Sequence, residues 1–273
     1  MKYLHLDPAF TPYKESIVFE AFVFNGGEPH IKILEQNIGE EITITHRINS
    51  FNDLGLLLIA TDALRRMDVK IINVFIPYFP AARQDRVMVA GEPLSVKVYA
   101  DCINAQQYDQ VTIFDPHSEV TPALLNNVKV IHNYDFVKQC LDTINEDVLL
   151  ISPDGGALKK IYKVSEYLGG IEVVECSKKR DVKTGQLSGF TVYQEDLEGK
   201  HCVIVDDICD GGGTFLGLAK ALKDKNAGRL SLIVSHGIFS KGTTVVQQSF
   251  DTVYTTNSFR DITEEKVVQI PIQ

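Results

Sequence analysis

Residues 203–214 read VIVDDICDGGGT, which sets three carboxylates, Asp206, Asp207 and Asp210, before Gly211, Gly212, Gly213 and Thr214. Glycines allow a positive φ and a close backbone approach, so such a turn can aim N–H groups at an anion, and Thr214 can add a hydroxyl. A helix starting there contributes its unpaired N–H groups and the positive end of its dipole. The carboxylates are not phosphate ligands in this picture. They accept hydrogen bonds from sugar hydroxyls, or they hold a divalent cation through water, and the residue types leave both open. The loop therefore suggests a phosphorylated sugar. A tight turn with a capped helix accounts for the glycines but not for the DDxxD pattern. Cys209, inside the loop, reads as a small filler residue and not as a nucleophile.

The chain supplies the elements such a loop needs. HCVIV (201–205) is apolar and β-branched, as a buried strand requires, and TFLGLAKALKDK (214–225) repeats Phe215, Leu218, Ala219 and Leu222 at helical spacing. Further strand-like runs fall at 69–76, 110–114, 147–152, 171–175, 229–235 and 251–256. Helix-period segments lie at 51–67, 93–107, 134–144 and 156–168. Strand followed by helix, repeated, means parallel strands joined by crossovers, so the expected class is α/β with helices flanking mainly parallel sheets. A domain boundary is placed near residue 135. IVFEAFVF, HIKIL and EEITITHRI read instead as consecutive strands of an N-terminal antiparallel flap. Ligand chemistry gathers at the carboxyl ends of parallel strands. Polar clusters fall there: PYFPAARQDR, DPHS, SPDGGALKK and DDICDGGGT. SKKRDVKTGQLSG (177–189) is basic and aperiodic, and reads as a mobile surface loop.

Composition excludes other classes. A hydrophobic content of 44% with 23% charged residues suits a chain that buries a core, and 273 residues leave room for two domains. The net charge of −9 argues against nonspecific binding to nucleic acid or acidic membranes. Five scattered cysteines without a CxxC pair fit reduced thiols in a cytoplasm better than disulfides or a zinc site. Asp7 and Pro8 interrupt the apolar stretch a signal peptide needs, and no segment approaches the ~20 apolar residues of a membrane span. The expectation is a cytoplasmic protein that works on small molecules.

Taken in order, the polar clusters resemble the ribose-phosphate diphosphokinase (phosphoribosyl-pyrophosphate synthetase) family. Its members carry PYxPYARQD, DLH, SPDxGG, a basic flexible loop and VDDxxDTGGT. Here stand IPYFPAARQDR, FDPHS, SPDGGALKK, SKKRD and IVDDICDGGGT; SHGIFS (235–240), TTN (255–257) and FNGGE (24–28) resemble further family segments. The resemblance implies two phosphoribosyltransferase-like domains, 1–135 with ATP-binding segments and 136–273 with the ribose 5-phosphate loop and the catalytic loop. On that basis Asp206, Asp207 and Asp210 would hold the 2- and 3-hydroxyls of ribose 5-phosphate, and the backbone of Gly211, Gly212, Gly213 and Thr214 its 5-phosphate. His117 and Asp154 would contact the magnesium–triphosphate, with Mg²⁺ as cofactor and His117 also serving catalysis. Arg83, Gln84 and Asp85 would bind ATP. Phe24 and Glu28 would reach the adenine from a neighbouring subunit, so self-association is expected. Lys178 and Arg180 would be the loop cations, with a slip of one residue to Lys179 left open. The implied reaction passes the β,γ-pyrophosphoryl group of MgATP to the C1 hydroxyl of ribose 5-phosphate and releases AMP.

The sequence departs from the family pattern in places. Gly211 stands where the family has Thr, Pro116 where it has Leu, and only about twenty residues precede FNGGE. Phosphoribosyltransferases share the acidic loop, and a non-catalytic regulatory homologue would share the fold. The RQD, DPH and SPDGG segments with the basic loop favour the synthetase over the former. Retention of Lys178, Arg180, His117 and the complete acidic loop favours it over the latter.

Overall fold

The computed structural model describes residues 2–180 and 187–272, with side chains at all of these except residues 179, 180, 187 and 188. The chain divides into two units. The first runs to His132 and takes in Ser258–Arg260 and the piece from Pro271 onward; the second comprises Asn133–Asn257 and Asp261–Ile270.

In the first unit β1 (Lys2–His5) precedes an antiparallel hairpin, β2 (Phe19–Val23) and β3 (Pro29–Ile33), which forms a sheet of its own. Then come β4 (Glu41–Thr45), α1 (Phe51–Arg66), β5 (Ile71–Ile76), α2 (Ser95–Asn104), β6 (Gln110–Phe114), α3 (Val120–Leu124) and β7 (Val128–Ile131). The strands pair in the order β1-β4-β5-β6-β7, every pair parallel. EEITITHRI is therefore not a third strand of the flap. Its alternation is satisfied by β1 and β5, and Ile42 and Ile44 lie fully buried between sheet and helices.

Helix α1 shows how local signals fix an element. Ser50 caps it by accepting from Asp53 N–H at 3.2 Å, while the Asp53 carboxylate accepts from Asn49 N–H at 3.0 Å and from Ser50 Oγ at 2.9 Å. This reciprocal arrangement satisfies two backbone donors near the helix start. Leu54, Leu57, Ala60, Thr61 and Leu64 recur at helical spacing and form the buried face. Each leucine so buried contributes roughly 1.5–3 kcal/mol.

The second unit begins with α4 (Tyr134–Ile144) and β8 (Val148–Ser152), followed by α5 (Leu158–Tyr167), β9 (Val173–Arg180) and β10 (Leu187–Val192). It continues with β11 (His201–Cys209), α6 (Gly213–Lys223), β12 (Leu230–Gly237), α7 (Thr244–Gln247), β13 (Thr252–Thr256) and β14 (Val267–Ile270). The sheet order is β10-β9-β8-β11-β12-β13-β14, and only the β9–β10 pair is antiparallel. Ile151, Ile204, Leu218, Leu222 and Leu232 belong to a separate apolar core beneath α6.

Two elements outrun their sequence expectation. Asp206 and Asp207 lie on β11 and not in the loop after it, because β12 extends equally far and keeps pairing, Asp206 with Val234 and Ile208 with His236. Ser177–Arg180, expected to be loop, continues β9. Past Glu175, which registers with Ser152 at the end of β8, β9 has only β10 for a neighbour, so the two form an arm beyond the carboxyl edge of the sheet. The rest of the expected loop, residues 181–186, lies outside the described residues. Among the described residues no helix is long and apolar enough to cross a membrane.

Candidate functional site

In the second unit the chain passes from β8 to β9 on one side and later places β11 on the other. Strand order thus reverses at β8 and β11, and a crevice opens at their carboxyl ends, the location where open α/β sheets bind ligands. Asp154 follows β8, and Asp206, Asp207 and Asp210 finish and follow β11.

Asp154 is held from three directions. One carboxylate oxygen accepts from the N–H groups of Gly156 at 2.9 Å and Ala157 at 3.2 Å; the other lies 2.6 Å from Lys178 Nζ. Burial works to raise this carboxyl, but the Lys178 ammonium and the two N–H donors outweigh it and hold Asp154 below the usual carboxylate range. The β9–β10 arm thus delivers Lys178 to Asp154. Arg180 closes β9 two residues on; its side chain lies outside the described residues, as does that of Lys179.

The two acids of β11 behave oppositely to Asp154. Burial first, and then the neighbouring Asp207 charge, raise the Asp206 carboxyl well above its ordinary range. Asp207 is itself buried, and its N–H donates to Asp206 at 2.9 Å. Adjacent carboxylates withdrawn from water disfavour each other's ionisation, and a divalent cation would favour their charged form. Cys209 is fully buried, and burial pushes its thiol up to about 12, so it fills space and is not a nucleophile.

Gly212 is the N-cap of α6, with φ at 75°, and no side chain caps the helix. The first N–H groups returning to the cap are those of Phe215 at 3.0 Å and Leu216 at 3.2 Å, both to Gly212 O. The N–H groups of Gly213 and Thr214 precede them and have no carbonyl within the helix to donate to. A Cβ on Gly212 would stand 2.9 Å from Val246 Cγ1, so the glycine serves both the left-handed turn and the packing of α7. The turn after β12 braces the loop: Ile238 and Phe239 N–H donate to Cys209 O at 2.9 and 3.0 Å, and Ser240 N–H to Asp210 O at 3.2 Å.

The first unit places its candidates differently. Phe24 and Glu28 flank the turn of the β2–β3 hairpin, closed by Phe24 N–H to Glu28 O at 2.9 Å and Gly27 N–H to Phe24 O at 2.8 Å. Phe22, Phe24 and His30 form an aromatic cluster there, with Phe22 and Phe24 both about half exposed. Arg83, Gln84 and Asp85 follow β5 in a turn closed by Gln84 N–H to Ala81 O at 2.8 Å; Arg83 and Gln84 are exposed, and Ala81 has φ at 55°. His117 follows β6 after Asp115, which is buried with φ at 37°. Left-handed non-glycine residues of this kind collect at binding sites, where strain aims a side chain.

Within its own unit, then, the structure gathers Asp154, Lys178, Asp206, Asp207, Asp210 and the Gly211–Thr214 loop at one edge. Sequence reasoning gave no role to Lys160 of α5, which lines a small cavity together with Asn133, Asp206 and Asp207. The only signal for it was the basic end of SPDGGALKK.

Comparison with known proteins adds an independent line. Residues 125–272 match the phosphoribosyl transferase domain, and residues 15–106 match the N-terminal domain of ribose phosphate pyrophosphokinase. The ribose-phosphate pyrophosphokinase of Pyrococcus abyssi is 31% identical over 247 residues, covering 87% of this chain and 82% of that protein. That of Vibrio cholerae is 32% identical over 234 residues, covering 80% and 70%. The crystal structure of phosphoribosylpyrophosphate synthetase from Mycobacterium smegmatis superposes with a TM-score of 0.82 at 25% identity, covering 94% of this chain and 87% of that one.

Proposed function

This chain belongs to the ribose-phosphate pyrophosphokinase family, and from that premise we propose how its own residues divide the reaction. The second unit binds ribose 5-phosphate. Asp206, Asp207 and Asp210 orient the ring hydroxyls, and the Gly211–Thr214 backbone at the start of α6 receives the 5-phosphate. The first unit binds ATP through Arg83, Gln84, Asp85 and His117. Phe24 and Glu28, on the exposed hairpin, serve the adenine of a neighbouring subunit, which requires self-association.

The C1 hydroxyl attacks the β-phosphorus of ATP; the new bond joins C1–O to that phosphorus, the hydroxyl proton passes to solvent, the bond to the α-phosphate oxygen breaks, and AMP leaves. Charge develops on phosphate oxygens, so positioning and electrostatic stabilisation do most of the work. Lys178, released from Asp154, moves its ammonium to the transferring group, and Arg180 joins it. The pair that Lys178 makes with Asp154 supports it as the acting lysine.

Mg²⁺ fits the donors present. It binds through one or two carboxylates and completes its shell with water and phosphate oxygens, so a preassembled cage is not required. Asp154 and His117 would hold it on the triphosphate side, and Asp206 and Asp207 would offer further carboxylate oxygens. Bound there, it would offset the charge on the phosphate oxygens.

What supports this reading most is the 2.6 Å pair between Lys178 and Asp154, a cation carried by an arm to the carboxyl edge where the acid loop lies. The test is a ³¹P NMR time course with ATP, ribose 5-phosphate and Mg²⁺. Joint appearance of AMP and a pyrophosphorylated sugar is expected. No turnover by folded protein with demonstrated ribose 5-phosphate binding would overturn it.

A further inference from the structure

We propose that Lys241 is an additional binding residue for the 5-phosphate of ribose 5-phosphate, and that it works as a pair with Gly211. The inference rests on the reading of the acidic loop given above and adds a residue to it. Lys241 belongs to the turn after β12, is exposed, and makes no ion pair among the described residues. Its stem crosses the anion loop: a Cβ built on Gly211 would lie 3.6 Å from Lys241 Cε and 3.7 Å from its Cδ. Nζ is one bond beyond Cε, so the ammonium stays within reach of the space in front of α6.

The turn that carries Lys241 is fixed on both sides. Ser240 N–H donates to Asp210 O at 3.2 Å, Gly242 N–H donates to Phe239 O at 2.9 Å, and Phe239 is buried beneath. The lysine is thus mounted on the same backbone that ends the acid loop.

The charge pattern supplies the reason for it. Three carboxylates surround a loop that must also accept a phosphate dianion, and α6 offers backbone donors, the Thr214 hydroxyl and a partial charge. A full positive charge beside those donors offsets the carboxylate field, and an ammonium–phosphate hydrogen bond is among the stronger kinds. Gly211 stands where the resembled pattern has Thr, so one hydroxyl donor is missing from the loop. The lysine stem occupies the side of the loop where that residue's side chain would emerge. Lys241 replaces the lost donor, and Gly211 leaves room for it.

The test measures ribose 5-phosphate affinity by calorimetry, and the KM for each substrate, on the full chain. Lys241→Ala is expected to weaken ribose 5-phosphate binding by roughly ten- to hundredfold. The KM for ribose 5-phosphate rises accordingly, while the KM for ATP and kcat change less than about twofold. Lys241→Arg retains most of the affinity, and Gly211→Thr added to Lys241→Ala recovers part of it. Unchanged ribose 5-phosphate affinity in Lys241→Ala would overturn the inference, and so would an equal rise in both KM values, the mark of a structural role. Failure of the unaltered protein to bind ribose 5-phosphate would instead remove the reading of the acidic loop, and the role of Lys241 with it.

Discussion

The two units share one plan, parallel strands with polar groups at their carboxyl ends, yet they present those groups by different means. In the second, strand order reverses at β8 and β11, and backbone N–H groups and carboxylates sit at the edge of the sheet itself. In the first, β4 to β7 run in sequence with no reversal, and the candidate residues stand on loops bent by left-handed Ala81 and Asp115, with Arg83 and Gln84 exposed. A reversal provides a crevice whose donors are main chain. Without one, side chains must reach out from strained loops. The second unit should therefore be sensitive to added Cβ atoms, and the first to changed side chains and relaxed backbone.

The largest expected effect concerns the arm that carries Lys178. Lys178→Ala should lower the rate of AMP formation by about 10²–10³-fold without changing the melting temperature by more than a few degrees. Rapid-quench kinetics would check this, and a loss below tenfold would remove Lys178 from the reacting group.

Next comes the backbone of the crevice. Gly212→Ala places a Cβ at φ 75° and 2.9 Å from Val246 Cγ1. It should cost about 1–2 kcal/mol in urea unfolding from the left-handed conformation, plus the displacement of Val246. Gly213→Ala, where a Cβ meets nothing within 4 Å, should be neutral or slightly stabilising. Equal behaviour of the two variants would break the claim that the turn, and not glycine content, matters.

A third contrast lies within the second unit. Asp206 has a carboxyl raised by burial and by Asp207, so between the usual carboxylate range and its raised value the folded state holds more protons than the unfolded one. Stability of metal-free protein therefore falls as pH rises across that window, and Asp206→Asn should abolish the fall. Asp154 is shifted the other way, its burial outweighed by Lys178 and two N–H donors, so its contribution is lost as pH falls through its lowered value. Melting temperatures against pH in chelator would show both trends; identical curves for the Asn variant and the parent would refute the first. The smallest effect belongs to the first unit: Ala81→Gly relieves a left-handed alanine and should stabilise by up to about 1 kcal/mol. If the loop's strain positions Arg83, the same change should raise the KM for ATP.

These contrasts also explain what the sequence could convey. Elements with an apolar face on their own residues were legible: β6 at Gln110–Phe114 and α4 at Tyr134–Ile144 coincide with their expected limits. Elements defined by a distant partner were not. Glu41–Thr45 alternates like a flap strand, and only its pairing with β1 and β5 assigns it to the parallel sheet. The acids of β11 and the Lys-Lys-Arg end of β9 read as loop because their side chains are polar, whereas their hydrogen bonds follow long neighbours. In the candidate site, Asp154 and Asp206 through Thr214 stood out through local spacing. The approach of Lys241 to Gly211 joins residues from the ends of two strands, and no periodicity records it.

The return of the chain to the first unit has a consequence for how the protein is made. Ser258–Arg260 joins that unit only after Asn133–Asn257 of the second has been made, and Phe259 sets its carbonyl 3.2 Å from Asn49 Nδ2 and its ring edge-on to Tyr78. On a ribosome adding about 5–20 residues per second, everything before His132 emerges on the order of ten seconds before that strap does. The nascent first unit must wait in that interval without the Phe259 ring against Tyr78 of its PYFP segment. Its finished form is a late event of synthesis, although its sequence comes first.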